Sequence, residues 1–536
     1  MSYRSILTMA AAIVIGNIFP SLAQVSNDTL NSISTPENVD SPIGKLDFDK
    51  GTPSAEAAQA IYDHLDFTYA FRAFTDTFKG VSIQALYEGF KEADIGDNEF
   101  VMFSELMDSS SIFLTANADT VYYISFVDLS NGPMIFESPP DALGTIDDMW
   151  FRWVIDFGKP GPDRGEGGKY LLVGPGYEGF LPVGEFNVAH SQTNRVVILG
   201  RSFLEANDPR PTVAEIKDRM KLYPYVQGGV GMPIARFLEG GVKLGKNAEA
   251  QAPIYHEGTG RVFNTVPPND FGYFEMLNRL VQEQPATSLD PELMGPIAAL
   301  GIIKGEDFKP DDRMKGILTK AVALANATGR TLGFDARDPD WYFYEGSQWF
   351  NPLFTGGYQF ETPIPEITAQ GAIPYPPTGY KKNDARTAFF YVATGITPAM
   401  AMRLTDVGSQ YLLSTKDANG QYFDGATTYK VVLPPDIPEN NFWSLTVYDN
   451  QTRSMLQTPQ RYPRAGSQSF PTPAAKTAED GSTTVWFGPE LPEGVELGNW
   501  IQTDPEKGWF VILRLYSPLA PFFEKSWQVG EVQPVE

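Results

Sequence analysis

The chain has 536 residues, 42% hydrophobic and 13% aromatic, which is more than a single core can hold, so two or three packed units are expected. Lys and Arg number 41 against 66 Asp and Glu, and the formal charge of −25 argues against nucleic acid or an anionic membrane as partner. Three histidines (His64, His190, His256) and no cysteine leave little for a zinc site and exclude disulfides and a thiol nucleophile, so neither metal nor cofactor is expected.

The N-terminus has the pattern of a secretory signal: Arg4 in a short polar head, an apolar run from Ile6 to Ile18, Pro20 as breaker, then Ser21-Leu22-Ala23 before Gln24. Cleavage is expected after Ala23, with a periplasmic or secreted destination. No later stretch approaches the roughly 20 apolar residues that a membrane span needs. Residues 24–50 are rich in Ser, Asn, Asp, Thr and Pro and read as an irregular leader. A helical segment follows over 51–109. Thr52-Pro53 suits its start, and Ala57, Ile61, Leu65, Tyr69, Phe71, Phe74 and Phe78 recur at helical spacing, predicting a long helix that ends near Gly80 and a second over 83–92.

Between 110 and 205, short β-rich runs at 121–128, 133–137, 149–157, 169–174, 185–189 and 195–200 are separated by Gly and Pro, as in a β-sandwich. Residues 206–335 turn helical, at 213–222, 271–282, 291–300 and 313–327, the last closing at Thr328-Gly329. They predict a helical subdomain; the interval 240–268 takes no assignment. From 336 to 409 the chain is aromatic and Pro-rich, an extended connector lying over another surface, with a helix over 385–405 interrupted near Gly395 to Pro398. The β pattern returns over 410–536, at 410–415, 427–433, 442–449, 484–487 and 508–516, with Asp417-Ala418-Asn419-Gly420 as a hairpin turn. The fold class expected is mainly β with α, two β-sandwich domains joined by a helical subdomain.

The stretch 115–130 concentrates candidate chemistry. Asn117, Asp119 and Thr120 form a polar knot that feeds the strand 121–128, whose alternation puts Tyr123 on one face and Tyr122 on the other. One carboxylate, one amide and one hydroxyl converging in a single turn can hold a ligand; an Asx-type turn that merely starts the strand explains the same residues. The glycine-rich loop 158–170 offers Asp163, Arg164, Glu166 and Lys169 beside flexible backbone, without the ending of a phosphate loop. The run 150–156 reads as a strand with Arg152 and Asp156 on one face and Trp153 on the other, Trp150 leading it. Arg514, a cation amid Val511, Ile512, Leu513 and Leu515, needs solvent, a carboxylate or a ligand. No Gly-x-Ser-x-Gly elbow is present.

Longer motifs carry a resemblance. Thr115 to Leu129, Trp150 to Tyr177 with Gly161-Pro162-Asp163-Arg164-Gly165-Glu166-Gly167-Gly168-Lys169-Tyr170, and Asn194-Arg195 with Gly200-Arg201 resemble the domain of unknown function 1254. Phe423-Asp424-Gly425, Leu433-Pro434-Pro435, Phe442-Trp443-Ser444-Leu445-Thr446-Val447-Tyr448-Asp449, Asn499-Trp500-Ile501 and Arg514-Leu515-Tyr516 resemble its usual companion, 1214. The resemblance implies a bacterial exported protein with an N-terminal sandwich, a helical subdomain and a C-terminal jelly-roll-like sandwich, and it implies no reaction.

Three functions are compatible with these residues. The first is a hydrolase acting on a small or oligomeric molecule in a cleft between the sandwiches, with Asp119 and Glu166 as acid and base, and Asn117, Thr120, Arg152 and Arg514 positioning. The second is a non-catalytic module for a carbohydrate or aromatic ligand, a small molecule or oligosaccharide stacked on Tyr122, Tyr123, Trp150 and the aromatic run 341–358, with Arg164 contributing charge. The third is a cell-envelope interaction protein that uses the aromatic run against a partner.

Overall fold

The computed structural model describes residues 25–182, 184–226, 252–362, 367–368, 371–372, 379–401 and 404–535. The signal-like residues 1–23, the interval 240–251 and most of the Pro-rich stretch 363–377 lie outside the described residues. The chain forms two compact units, residues 1–65 and 66–536. In the first, the helix Asn27–Ile33 is capped by Ser26, whose Oγ accepts the Thr29 N–H. Strands Asn38–Ser41, Gly44–Asp49 and Thr52–Pro53 form an antiparallel sheet. Residues 25–50 of the expected irregular leader 24–50 are therefore built into regular elements. A cap residue and a glycine at φ +110°, Gly44, organise it with almost no apolar burial, so hydrophobic periodicity carries no sign of it.

The second unit holds the large cores. A six-stranded sheet runs in the order Tyr255–Glu257, Phe100–Met102, Val121–Asp128, Arg195–Ser202, Ala142–Asp148, Trp153–Gly158. Alternation along its central strand sends Val121, Tyr123 and Val127 to one core and Ile124 and Phe126 to another. The first core is shared with a four-stranded sheet containing Met134–Glu137 and Lys169–Val173, which makes the N-terminal sandwich. The second core is filled by the helices Ala55–Glu92 (from residue 70 onward), Gly272–Glu283, Asp312–Phe334 and Asn383–Val392.

Residues 409–535 form two more four-stranded sheets around a third core. One contains Ser409–Ser414, Trp509–Pro518, Glu439–Asp449 and Arg464–Gly466 in that order. On its long strand Val511, Leu513 and Leu515 enter the third core, while Phe510 and Ile512 face the helical one. Arg514 and Tyr516 share that second face by parity. Sheet faces thus alternate between cores, and the helices fill the space between two β-layers. The aromatic connector is internal: Trp341 and Trp349 are fully buried, Trp349 Nε1 donates to the Gly530 carbonyl, and Phe343 stacks on Phe522 at 4.6 Å. Those rings are occupied within the chain, contrary to a role as a stacking or partner surface.

Two helix ends are displaced from their expected places. The helix Ala55–Glu92 runs through Gly80, and Asp312–Phe334 runs through Gly329. Neither glycine is a cap. A methyl group on Gly80 would strike the Trp150 ring and come within 2.9 Å of Leu280, and one on Gly329 would lie 2.7 Å from Tyr391. Both glycines buy close packing at the roughly 1 kcal/mol propensity cost of Gly in a helix. Gly80→Ala and Gly329→Ala are therefore expected to destabilise by about 1–3 kcal/mol. Gly316→Ala, in the same helix as Gly329 but with nothing within 4 Å, should stabilise by up to about 1 kcal/mol. Urea unfolding of the three variants checks the contrast; uniform stabilisation would contradict it.

Candidate functional site

The knot at 115–120 is where the two β-layers meet. Asn117 Oδ1 accepts the Asp119 N–H at 2.8 Å, an Asx turn that aims the following side chains at the C-terminal sheet. Asp119 is fully buried; Arg464 Nε donates to its Oδ1 at 2.5 Å, and Ser444 and Tyr516 hydroxyls donate to Oδ2 at 2.7 and 2.8 Å. Burial alone would raise this carboxyl, but Arg464, Arg514 and the hydrogen bonds outweigh it and hold it below the usual carboxylate range, so it is ionised. Asn117 Nδ2 donates to Tyr516 Oη at 2.7 Å, and Tyr448 Oη donates to the Ala116 carbonyl at 2.6 Å.

Beside the knot lies a cavity of about 200 Å³. Tyr122, Ile124, Leu199 and Arg201 of the six-stranded sheet form one wall; Tyr411, Leu413, Ile512 and Arg514 of the C-terminal sheet form the other. The end of the helix Asn383–Val392 and residues 393–400 close it. The polar groups cluster at one end. Arg201 Nη1 donates to Tyr411 Oη at 2.9 Å and its Nη2 to Ser409 Oγ at 2.9 Å. Arg514, only 2% exposed, uses Nη2 on Tyr448 Oη at 2.6 Å and the Thr115 carbonyl at 3.3 Å, while its buried Nε and Nη1 have no acceptor among the described residues. No carboxylate is hydrogen-bonded to Arg201 or Arg514 among the described residues.

The closing loop is held by two buried carboxyls. Asp147 Oδ2 accepts the Ile396 N–H at 2.9 Å, and Asp156 Oδ1 accepts the Thr397 hydroxyl at 2.5 Å and Trp153 Nε1 at 3.0 Å. Burial drives Asp147 well above the carboxylate range and lifts Asp156 to about 6 against its hydrogen bonds.

Of the residues singled out in the sequence, Asn117, Tyr122 and Arg514 line the cavity. Asp119 and Thr120 are sealed in the knot, and Tyr123 lies on the opposite face of its strand, inside the N-terminal sandwich. Trp150 is buried among the helices with Nε1 on Ser288 Oγ at 3.1 Å. Arg152 does not stand on a strand face: an Asx turn at Asp148 puts Phe151 at φ +45°, the strand starts at Trp153, and Arg152 Nε donates to Asp148 Oδ2 at 2.7 Å. Arg164 and Glu166 are exposed on the glycine-rich loop, which contributes only Pro160 to the cavity. Asp119 and Glu166 therefore do not flank one cleft, because the first spends both oxygens on protein donors and the second faces solvent.

Arg201 and Tyr411 went unselected in the sequence, although Arg201 shares a strand with the apolar run Val196 to Leu199, two residues past its end. The cation-in-an-apolar-strand argument finds it. Tyr411 carries no comparable mark.

Fold and cavity together define a class of protein: two sandwiches and a helical layer enclosing a site to which each sandwich contributes an arginine and a tyrosine. Residues 98–224 match the family described as protein of unknown function DUF1254, and residues 408–520 match that described as protein of unknown function DUF1214. The chain thus carries a match to DUF1254 followed along the sequence by a match to DUF1214. Tyr122 and Arg201 fall in the first match, Tyr411 and Arg514 in the second. No curated protein matches the chain. Among solved structures it is similar to the VPA0106 protein from Vibrio parahaemolyticus, at 17% identity and a TM-score of 0.49 over 88% of this chain and 100% of that one. It is also similar to a protein from Burkholderia cenocepacia, at 12% identity and a TM-score of 0.36 over 90% of this chain and 99% of that one.

Two predictions test these assignments. Asp119→Asn leaves Arg464 buried without its counter-ion and should cost about 3–5 kcal/mol of stability in urea unfolding; an unchanged midpoint would contradict the knot's structural role. For Asp156 the folded carboxyl binds its proton more tightly than the unfolded one, so stability falls as pH rises from about 4 to about 6. The loss is about 3 kcal/mol. Asp156→Asn should match wild type near the acid end and exceed it above neutrality; parallel stability curves would rule this out.

Proposed function

We propose that this protein binds a small organic anion, a carboxylate with an apolar body, in the cavity between its two sandwiches. The supporting observation is Arg514: a guanidinium 2% exposed, with Nε and Nη1 lacking acceptors, in a cavity wall that also holds Arg201. Burying a cation costs several kcal/mol unless a counter-ion or full hydrogen bonding offsets it. Asp119 is committed to Arg464, Ser444 and Tyr516, which leaves both cavity arginines to a carboxylate supplied by the ligand. Phe113, Ile124, Leu199, Phe389, Leu413 and Ile512 offer the ligand's body an apolar environment. At about 200 Å³ the cavity is below the roughly 300–1,000 Å³ of drug-sized sites, which supports a small molecule over an oligosaccharide.

Among the described residues no helix is long and apolar enough to cross a membrane. The pattern of residues 4–23 supports export, so the ligand is met outside the cytoplasm.

The test compares 3-phenylpropionate with the uncharged 3-phenylpropanol by calorimetry and thermal shift. The acid is expected to bind and to raise the melting temperature, the alcohol to do neither. Arg201→Gln and Arg514→Met should each weaken the acid by about tenfold to a hundredfold, the loss of a charged hydrogen bond of 1.5–3 kcal/mol. Equal binding of acid and alcohol, or of acid to wild type and both variants, would defeat the reading.

A further inference from the structure

Four phenols stand beside the two cavity arginines, and their surroundings differ. Tyr411 and Arg514 are direct cross-strand partners on Ser409–Ser414 and Trp509–Pro518, as Tyr122 and Arg201 are on Val121–Asp128 and Arg195–Ser202. Tyr411 Oη accepts from Arg201 Nη1 at 2.9 Å and from Ser409 Oγ at 3.0 Å, and Ser409 Oγ accepts in turn from Arg201 Nη2, closing a ring of hydrogen bonds. The Arg514 guanidinium lies 5.2 Å from the centre of the Tyr411 ring. Both hydrogen bonds reach Tyr411 as an acceptor, and its own hydroxyl hydrogen has no acceptor among the described residues. A phenol carries one proton to donate, and with both bonds made in this sense no acceptor among the described residues takes it, on a tyrosine that lines the cavity.

The other three phenols are placed differently: Tyr448 Oη accepts from Arg514 Nη2 and donates to the Ala116 carbonyl. Tyr516 Oη donates to the ionised Asp119, and Tyr122 Oη is reached by Arg201 only at 3.5 Å. Burial raises both, Tyr516 well above the phenol range. Burial would raise Tyr411 too, but Arg201, Arg514 and the hydrogen bonds from Ser409 and Arg201 outweigh it and hold this phenol below its usual range. Neighbouring groups of one chemistry pushed in opposite directions is the arrangement by which active sites assign acid and base roles.

We propose that Tyr411 is a catalytic acid–base group that moves a proton on and off the carbon next to a carbonyl in the anion held by Arg201 and Arg514. This rests on the anion-binding reading. Tyr411 Oη, in its phenolate form, takes the proton as the C–H bond breaks and becomes the phenol, and the electron pair passes into the carbonyl to give an enolate whose oxygen the Arg514 guanidinium holds. Return of the proton to carbon, or to the enolate oxygen, completes the transfer. Atoms and electrons balance with no oxidant, reductant or co-reactant. The reaction class is keto–enol tautomerisation, with exchange of the carbon-bound proton.

The probe is phenylpyruvate in D₂O, with deuterium uptake at its methylene carbon followed by proton NMR and its affinity measured by calorimetry. Wild type is expected to accelerate uptake over buffer, and Tyr411→Phe to slow it by about 100-fold or more while affinity is retained. An ultraviolet difference titration of wild type against Tyr411→Phe should show one phenol ionising below the ordinary value of about 10. Uptake in wild type no faster than in Tyr411→Phe overturns the inference. If phenylpyruvate still binds in that case, anion binding stands and only the chemistry falls; if it binds to neither protein, both fall.

Discussion

The contact between Asp119 and Arg464 joins the two β-layers of the large unit, and most of the site's geometry depends on it. It is a fully buried ion pair, a type of contact whose net stabilisation is small because desolvation offsets much of the attraction. Its value lies in specificity. Asp119 accepts from Arg464, Ser444 and Tyr516, three donors on three strands of the C-terminal sheet, while the Asx turn at Asn117 fixes it to the N-terminal strand. With those bonds made, the two sheets have one register relative to each other. Any slip would strand an ionised carboxylate and a guanidinium in an apolar interior.

The cavity is a consequence of that register. The turn at 115–120 occupies the space beside Ser444, Arg464 and Tyr516, and the alternation of the flanking strands then sets Tyr122 and Arg201 opposite Tyr411 and Arg514. Two buried arginines, Arg464 and Arg514, and the half-buried Arg201 lie in this region with one buried carboxylate, and that carboxylate is hydrogen-bonded to the arginine farthest into the knot. The remaining positive charge is left facing the cavity, where hydroxyls of Tyr122, Ser409 and Tyr411 solvate it in part. An anionic ligand and an easily ionised phenol are two answers to the same electrostatic imbalance, and the structure has room for both.

The fold was largely legible because its signals are local. The strands at 121–128 and 410–415 and the Asx turn at Asn117 follow from alternation and turn chemistry that need no knowledge of the partner surface. What the sequence hid depends on contacts far away along the chain. Gly80 and Gly329 look like helix ends, yet each makes room for an aromatic ring more than 50 residues distant. Asp119 looks like a catalytic carboxylate, and only the positions of Ser444, Arg464 and Tyr516 show that its oxygens are already used. Arg514 was found because a cation in an apolar strand demands a partner; Tyr411 was not, because a tyrosine in a strand demands nothing until Arg201 and Arg514 are placed around it.

The account stands on a carboxylate lodging between two arginines contributed by different sandwiches. A crystal structure of the full chain grown with 3-phenylpropionate tests that most directly. The carboxylate oxygens are predicted to lie within hydrogen-bond distance of Arg514 Nε or Nη1 and to share Arg201, with the phenyl ring against Phe389, Leu413 and Ile512. A ligand bound with its carboxylate turned away from both arginines, or bound only outside the cavity, would contradict it.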